Sequence, residues 1–198
     1  MAINKVVNKS TKSHGAMRNV IDYVLRDDKI KEGYALIIGM TLAMRYAELH
    51  ALKWSDLDFD DKSLLVKGQR TLDYEYQDGK FVCKGRKDKD TLKGNEEPRI
   101  LPITPDVEEA LKNIKALNLS DEYVFPDGHF RYHTYNDKVK QAAEAVGLNG
   151  KEYRTHSART TAATNLYNEC KDIFVVQSLL GHSGTQMTMK YIKEAEKY

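Results

Sequence analysis

Tyr191 stands nine residues after His182 in the run Leu180-Gly181-His182-Ser183-Gly184-Thr185-Gln186-Met187-Thr188-Met189-Lys190-Tyr191. A histidine at the head of a short, Thr-rich stretch of helical pattern that ends in a tyrosine is hard to explain by packing alone. Upstream lie Arg45 and the run His156-Ser157-Ala158-Arg159. Arginine presents a planar fork to two oxygens of a phosphate, a geometry lysine cannot supply. Imidazole moves protons near neutrality, and a tyrosine hydroxyl, with an ordinary pKa of about 10, becomes a nucleophile once its proton leaves. Two forks, two imidazoles and one phenol are the parts that attack on a phosphoryl group requires: a nucleophile, cations for the growing charge and groups that transfer protons. Each residue alone has a plainer reading. Arg45 can pair with Glu48 three positions along a helix, and His156 and His182 can sit at helix starts. Tyr191 can be one half-buried tyrosine among twelve. Their joint occurrence shifts the weight to chemistry.

The order Arg, His-x-x-Arg, Gly-His, Tyr resembles the tyrosine recombinases, the phage-type integrase family that cuts and rejoins DNA through a phosphotyrosine. The run Met44-Arg45-Tyr46-Ala47-Glu48-Leu49 followed by Leu52-Lys53-Trp54-Ser55-Asp56 resembles the family's first box, in which Glu48 matches a supporting acid. Lys93-Gly94-Asn95-Glu96-Glu97-Pro98-Arg99-Ile100-Leu101-Pro102 looks like the family's β-hairpin motif, whose lysine is the general acid for the 5′ oxygen. The resemblance therefore implies Tyr191 as nucleophile, Arg45, Arg159, His156 and His182 around the phosphoryl group, and Lys93 as the acid, with Lys89 as its alternative. It implies no cofactor and no metal, because the bond energy is kept in the phosphotyrosine link. Three departures stand out: Ala158 and Thr160 replace the family's leucine and second histidine, and Ala43 stands where glycine is common. Ala158 is expected to leave a small packing gap, and Thr160 cannot replace imidazole as a hydrogen-bonding group.

The match runs from about residue 35 to 193, so residues 36–198 are expected to form the catalytic domain and residues 1–35 a short basic extension. The family's helical core-binding domain needs more residues than precede the first box, which leads us to expect an incomplete DNA clamp. Residues 2–26 resemble instead the start of plasmid-mobilisation relaxases, without that enzyme's metal-binding histidine cluster, as in a fused or rearranged mobile-element gene. The implied partner is double-stranded DNA, engaged by a homotetramer formed on DNA from protomers that are monomeric in solution. Alternatives are a DNA-binding remnant of an integrase without catalysis, type IB topoisomerase-like strand relaxation, and a relaxase-derived interaction fragment acting through residues 1–35.

These groups need rigid elements beneath them. Apolar residues from Leu36 to Leu52 recur at helical spacing, which predicts one buried helix over 33–54 carrying Arg45. Asp56–Ser63 reads as turn. Strands are expected at 64–66 leading to 71–76, at 81–83 across an Asp78-Gly79 turn, and at 99–103. Thr104-Pro105 opens a helix to about Leu117. Further helices are expected at 134–146, at 156–167, at 171–180 closed by Gly181, and from Ser183 through Tyr191. The expected fold is α+β, mainly α-helical with a small antiparallel three-stranded sheet.

Composition sets outer limits. The 198 residues, 41% hydrophobic and 30% charged, suffice for one ordinary core. No apolar run is long enough to span a bilayer, and no apolar stretch follows the basic residues of the start, so a cytoplasmic protein is expected. Two cysteines provide neither a disulfide framework nor a zinc spacing. A net charge of +2 does not by itself indicate nucleic acid. Local clusters say more: Lys5, Lys9, Lys12 and Arg18 at the start, and Lys84, Arg86 and Lys87 near the middle, the last three being candidate DNA contacts.

Overall fold

The computed structural model describes residues 14–27, 31–93 and 96–195. Lys5, Lys9, Lys12 and the first part of the relaxase-like segment lie outside the described residues. Helix α1 (His14–Asp27) buries Val20, Ile21 and Val24 in the same apolar cluster as α2 (Lys31–Thr41). Residues Ala35 to Gly39 of α2 are fully enclosed. Gly39 is required there, because a Cβ would come within 2.7 Å of the Tyr135 hydroxyl. Each large aliphatic side chain so enclosed contributes about 1.5–3 kcal/mol of transfer free energy.

The single helix expected over 33–54 is broken. Leu42 makes the last bond of α2, from its N–H to Ile38 O at 2.9 Å. Ala43 then adopts a left-handed conformation (φ 52°) and Arg45 an extended one before α3 (Tyr46–Ala51). Arg45 thus stands at the N-terminal boundary of a short helix, where Glu48 Oε2 accepts its backbone N–H at 3.1 Å. The left-handed residue explains the family's preference for glycine at this position.

The sheet also differs from expectation. Its three strands are β1 (Leu57–Asp58), inside the segment read as turn, β2 (Ser63–Val66) and β5 (Arg99–Pro102), in the order β1-β2-β5 and all antiparallel. The expected strands at 71–76 and 81–83 belong to a separate two-stranded hairpin, β3 (Gln69–Gln77) with β4 (Lys80–Lys89). Its Asp78-Gly79 turn has both residues at positive φ, 47° and 80°, as a two-residue hairpin turn that matches strand twist requires. Alternation along β5 turns Arg99 and Leu101 inward and leaves Ile100 exposed.

The second half is helical. Helix α4 (Pro105–Ala116) starts with proline in its first turn as expected, and α5 (Tyr132–Ala145) packs against α2. Helix α6 (Thr155–Cys170) buries small residues, Ala158, Ala162 and Ala163, so that neighbouring helices approach closely. Asp172 caps α7 (Ile173–Leu180), accepting from Phe174 N at 2.7 Å, and Gly181 closes it at φ 69°. Helix α8 (Thr185–Ala195) carries Tyr191 and packs on α6 and α7. Among the described residues the fold is thus mostly helical with two small antiparallel sheets. Among the described residues no helix is long and apolar enough to cross a membrane.

Candidate active site

Arg45, Lys93, His156, Arg159, His182 and Tyr191 line one cleft, together with Glu96, Ser183 and Met187. They arrive from the turn before α3, the loop before β5, the first half of α6, the α7–α8 turn and α8. No two of these segments are adjacent in sequence except the last two.

Arg159 is the deepest member, 1% exposed. Its Nη1 donates to Ala43 O at 2.6 Å and its Nη2 to Leu180 O at 2.7 Å. These carbonyls lie two residues before Arg45 and two before His182, so one guanidinium holds both segments in register. Leu180 O is an end-of-helix carbonyl of α7, which would otherwise lack a partner. Burial lowers the pKa of Arg159, with Glu48 working in the opposite direction.

Below the cleft lies an ion-pair base. Glu48, buried, accepts from Arg45 Nη1 at 2.9 Å and from Arg99 Nη2 at 2.7 Å. Burial opposes its charge, but Arg99 and Arg159 outweigh this and hold its pKa below the ordinary carboxylate value. The supporting acid of the first box is therefore the counter-ion beneath the arginines.

His182 is 7% exposed; its Nδ1 is 3.0 Å from Thr188 Oγ1 and its ring stacks on Tyr191 at 5.9 Å between centroids. Burial, followed by the charges of Arg159, Arg45 and Arg99, pushes its pKa down to about 4, so the ring is neutral at physiological pH. His156 is more open, and burial with Arg45 and Lys93 lowers its pKa as well. Tyr191 is half-buried and lines the cleft. Lys93 is exposed at the rim, whereas Lys89 lines a neighbouring groove with Lys53 and Lys67.

The three candidate DNA contacts do not line this cleft. Lys84 pairs with Glu75 at 3.1 Å and Lys87 with Asp73 at 2.5 Å, both across the hairpin and both exposed. Arg86 is framework: its Nη2 donates to Tyr46 Oη at 3.2 Å and its Nε faces Asp127 at 3.4 Å. Arg18 is likewise engaged, with Asp22 and Asp106. Thr160, which stands where the family has histidine, turns its hydroxyl to His156 O at 3.0 Å along its own helix and brings no group to the cleft.

Two groups that sequence reasoning did not single out are central. Arg99 ties β5 to Glu48, and the alternation of β5 was a usable signal for its inward direction. Glu96 forms a two-oxygen pair with Arg45, with Nη2 to Oε1 at 2.6 Å, and its Oε1 also faces Arg159 Nη2 at 3.4 Å and His182 Nε2 at 3.5 Å. Nothing local in the sequence separates Glu96 from the exposed Glu97 beside it.

Comparison with known proteins agrees with this geometry. A family model described as the phage integrase family matches residues 16–197. Tyrosine recombinase XerC of Corynebacterium glutamicum is 31% identical over 182 residues, 87% of this chain and 48% of that protein. Tyrosine recombinase XerA of Pyrococcus horikoshii is 26% identical over 184 residues, 86% of this chain and 53% of that protein. The chain spans about half the length of the curated relatives it matches. Among solved structures, the Tn1549 transposon integrase in complex with transposon right end DNA superposes with a TM-score of 0.69 at 19% identity, over 88% of this chain and 58% of that one. The site-specific recombinase XerH bound to a palindromic difH substrate gives 0.67 at 18% identity, over 93% and 50%. At these identities the structural likeness establishes the fold.

Proposed function

The chain belongs to the phage integrase family, and on that premise we propose that it breaks and rejoins DNA strands at specific sites through a 3′-phosphotyrosine. The observation that carries the reading is the convergence of Arg45, Lys93, His156, Arg159, His182 and Tyr191 on one cleft from segments far apart in the chain. In the proposed reaction the Tyr191 Oη–phosphorus bond forms and the bond to the 5′ oxygen breaks. The forks of Arg45 and Arg159 neutralise the charge that grows on the non-bridging oxygens. Neutral His182 and His156 hold the phosphoryl group and relay the tyrosine proton. Lys93, at the rim, gives its proton to the departing oxygen. Rejoining reverses these steps with a second 5′ hydroxyl.

Residues 36–198 form the catalytic domain in this reading, with residues 1–35 as an extension whose helix α1 packs on it. The protein acts in the cytoplasm on double-stranded DNA, as monomers that assemble into a homotetramer on their sites. That the XerH and Tn1549 neighbours were solved with DNA supports the choice of partner. Lys84 and Lys87, exposed on the hairpin, meet the DNA backbone once their acidic partners are exchanged for phosphate.

The test is to mix the protein with nicked suicide duplexes from the ends of its parent element and look for an SDS-resistant protein–DNA adduct, with Tyr191→Phe as control. An adduct lost in the control supports the chemistry and the nucleophile together. DNA binding with no adduct in either protein overturns the reading in favour of a DNA-binding remnant.

A further inference from the structure

We propose that Glu96 is an internal competitor of the scissile phosphate: its carboxylate fills the phosphate seat of the DNA-free protein and leaves that seat when DNA binds. This rests on the phosphotransfer reading of the cleft and names how access to it is controlled.

The argument starts from geometry. Arginine forks match carboxylates and phosphates in the same two-oxygen manner. Both oxygens of Glu96 are taken by Arg45, and one of them also faces Arg159 and His182 at 3.4 and 3.5 Å. These are the groups that a bound phosphoryl oxygen would have to touch, and the Glu96 side chain is 4% exposed among them. A phosphate cannot enter that space beside a carboxylate. Two like charges held that close repel, and far more strongly inside a protein than in bulk water.

The other carboxylate shows which of the two leaves. Glu48 lies behind the arginines, held by Arg99 Nη2 at 2.7 Å, by Arg45 Nη1 at 2.9 Å and by the Arg45 backbone N–H at 3.1 Å. It is buried and does not line the cleft, and it keeps Arg45 in place after Glu96 departs. Glu96, by contrast, lines the open cleft with Lys93, His156 and Tyr191.

The arrangement has two consequences. In the free protein it gives Arg45 and the buried Arg159 a second carboxylate beside Glu48, which otherwise faces Arg45, Arg99 and Arg159 alone. It also sets a threshold: a lone phosphate must displace a covalently tethered anion, whereas a phosphate within a matched duplex brings further contacts to help. Glu96 therefore discriminates between incidental and properly seated phosphates.

The experiment uses the full chain as wild type, Glu96→Gln, Glu96→Asp and, as a control, the neighbouring exposed Glu97→Gln. Inorganic phosphate affinity is read by thermal shift, and adduct formation with the suicide duplex is followed in parallel. Glu96→Gln is expected to bind phosphate about tenfold more tightly, a difference of about 1.4 kcal/mol, and to form adduct faster, with Glu97→Gln unchanged. Glu96→Asp keeps the charge but shortens its reach, and is expected to move in the same direction by less; it carries the test if the glutamine variant does not fold. Phosphate affinity that is unchanged or weaker in a folded Glu96 variant overturns the inference. Tighter phosphate binding with no adduct from any protein would uphold the seat while removing the transesterase reading. A Tyr191-dependent adduct with weakened phosphate binding in the variants would do the reverse.

Discussion

Replacing Arg159 by lysine keeps the positive charge and removes the fork, which separates the two tasks the structure assigns to this side chain. The guanidinium donates at once to Ala43 O and Leu180 O, at 2.6 and 2.7 Å, from a position 1% exposed. A single ammonium reaches one of these carbonyls and leaves the other buried without a donor, which costs about 1–3 kcal/mol. Arg159→Lys should therefore lose about 2 kcal/mol in urea unfolding and remain folded. Arg159→Ala strips both carbonyls and also leaves Glu48 and Glu96 short of a cation, so about 4–5 kcal/mol is expected, a large part of the stability of a typical domain. Because the carbonyls bracket Arg45 and His182, the lysine variant should also misplace both groups. Its suicide-duplex adduct is expected to fall by about 10²–10³, the scale for losing one oriented donor to a developing oxyanion. Far-UV circular dichroism against urea, with adduct yield on the same preparations, measures both quantities. A lysine variant within about 0.5 kcal/mol of wild type, or one with undiminished adduct, would refute the argument, because a bridging fork cannot be lost without either consequence.

Other expectations follow from the same geometry. Ala43 at φ 52° carries left-handed strain of about 1–2 kcal/mol, partly offset in a glycine variant by extra unfolded-state entropy of about 0.4–1 kcal/mol. Ala43→Gly should thus raise the urea midpoint slightly, and Ala43→Val, branched at Cβ, should lower it clearly. The folded pKa of His182 lies near 4, below its ordinary 6.5. The unfolded chain therefore binds this proton first, and the stabilisation is complete above about pH 6.5 and declines as pH falls towards 4. Melting temperatures from pH 7 to 4 should drop more steeply for wild type than for His182→Gln, and parallel curves would count against a buried neutral ring. Asp172→Ala, which removes the α7 cap, should cost about 1 kcal/mol in urea unfolding and leave adduct formation unchanged.

The features legible in the sequence are those set by neighbours a few residues apart. Asp78-Gly79 specified its hairpin turn because only such residues take two successive positive φ angles cheaply. Pro105 and Gly181 marked helix ends through fixed or permissive backbone angles, whereas the Asp172 cap of α7 was visible only in the structure. The order and spacing of Arg45, His156, Arg159, His182 and Tyr191 pointed to one constellation, and the fold brings all five to a single cleft. What tertiary structure decided lies elsewhere. The break at Ala43 has no glycine or proline to announce it; it persists because its carbonyl is taken by Arg159, 116 residues away. The partition of five strands into two sheets depends on β2 choosing β5 over β3, a long-range pairing that no strand's own alternation specifies. Glu96 and Glu97 are chemically the same residue in sequence, and only the packing of the loop against Arg45, Arg159 and His182 puts one carboxylate in the cleft and leaves the other at the surface. Local chemistry names the parts, and the low-dielectric interior decides which charges meet, because buried ions persist only beside partners that the whole fold supplies.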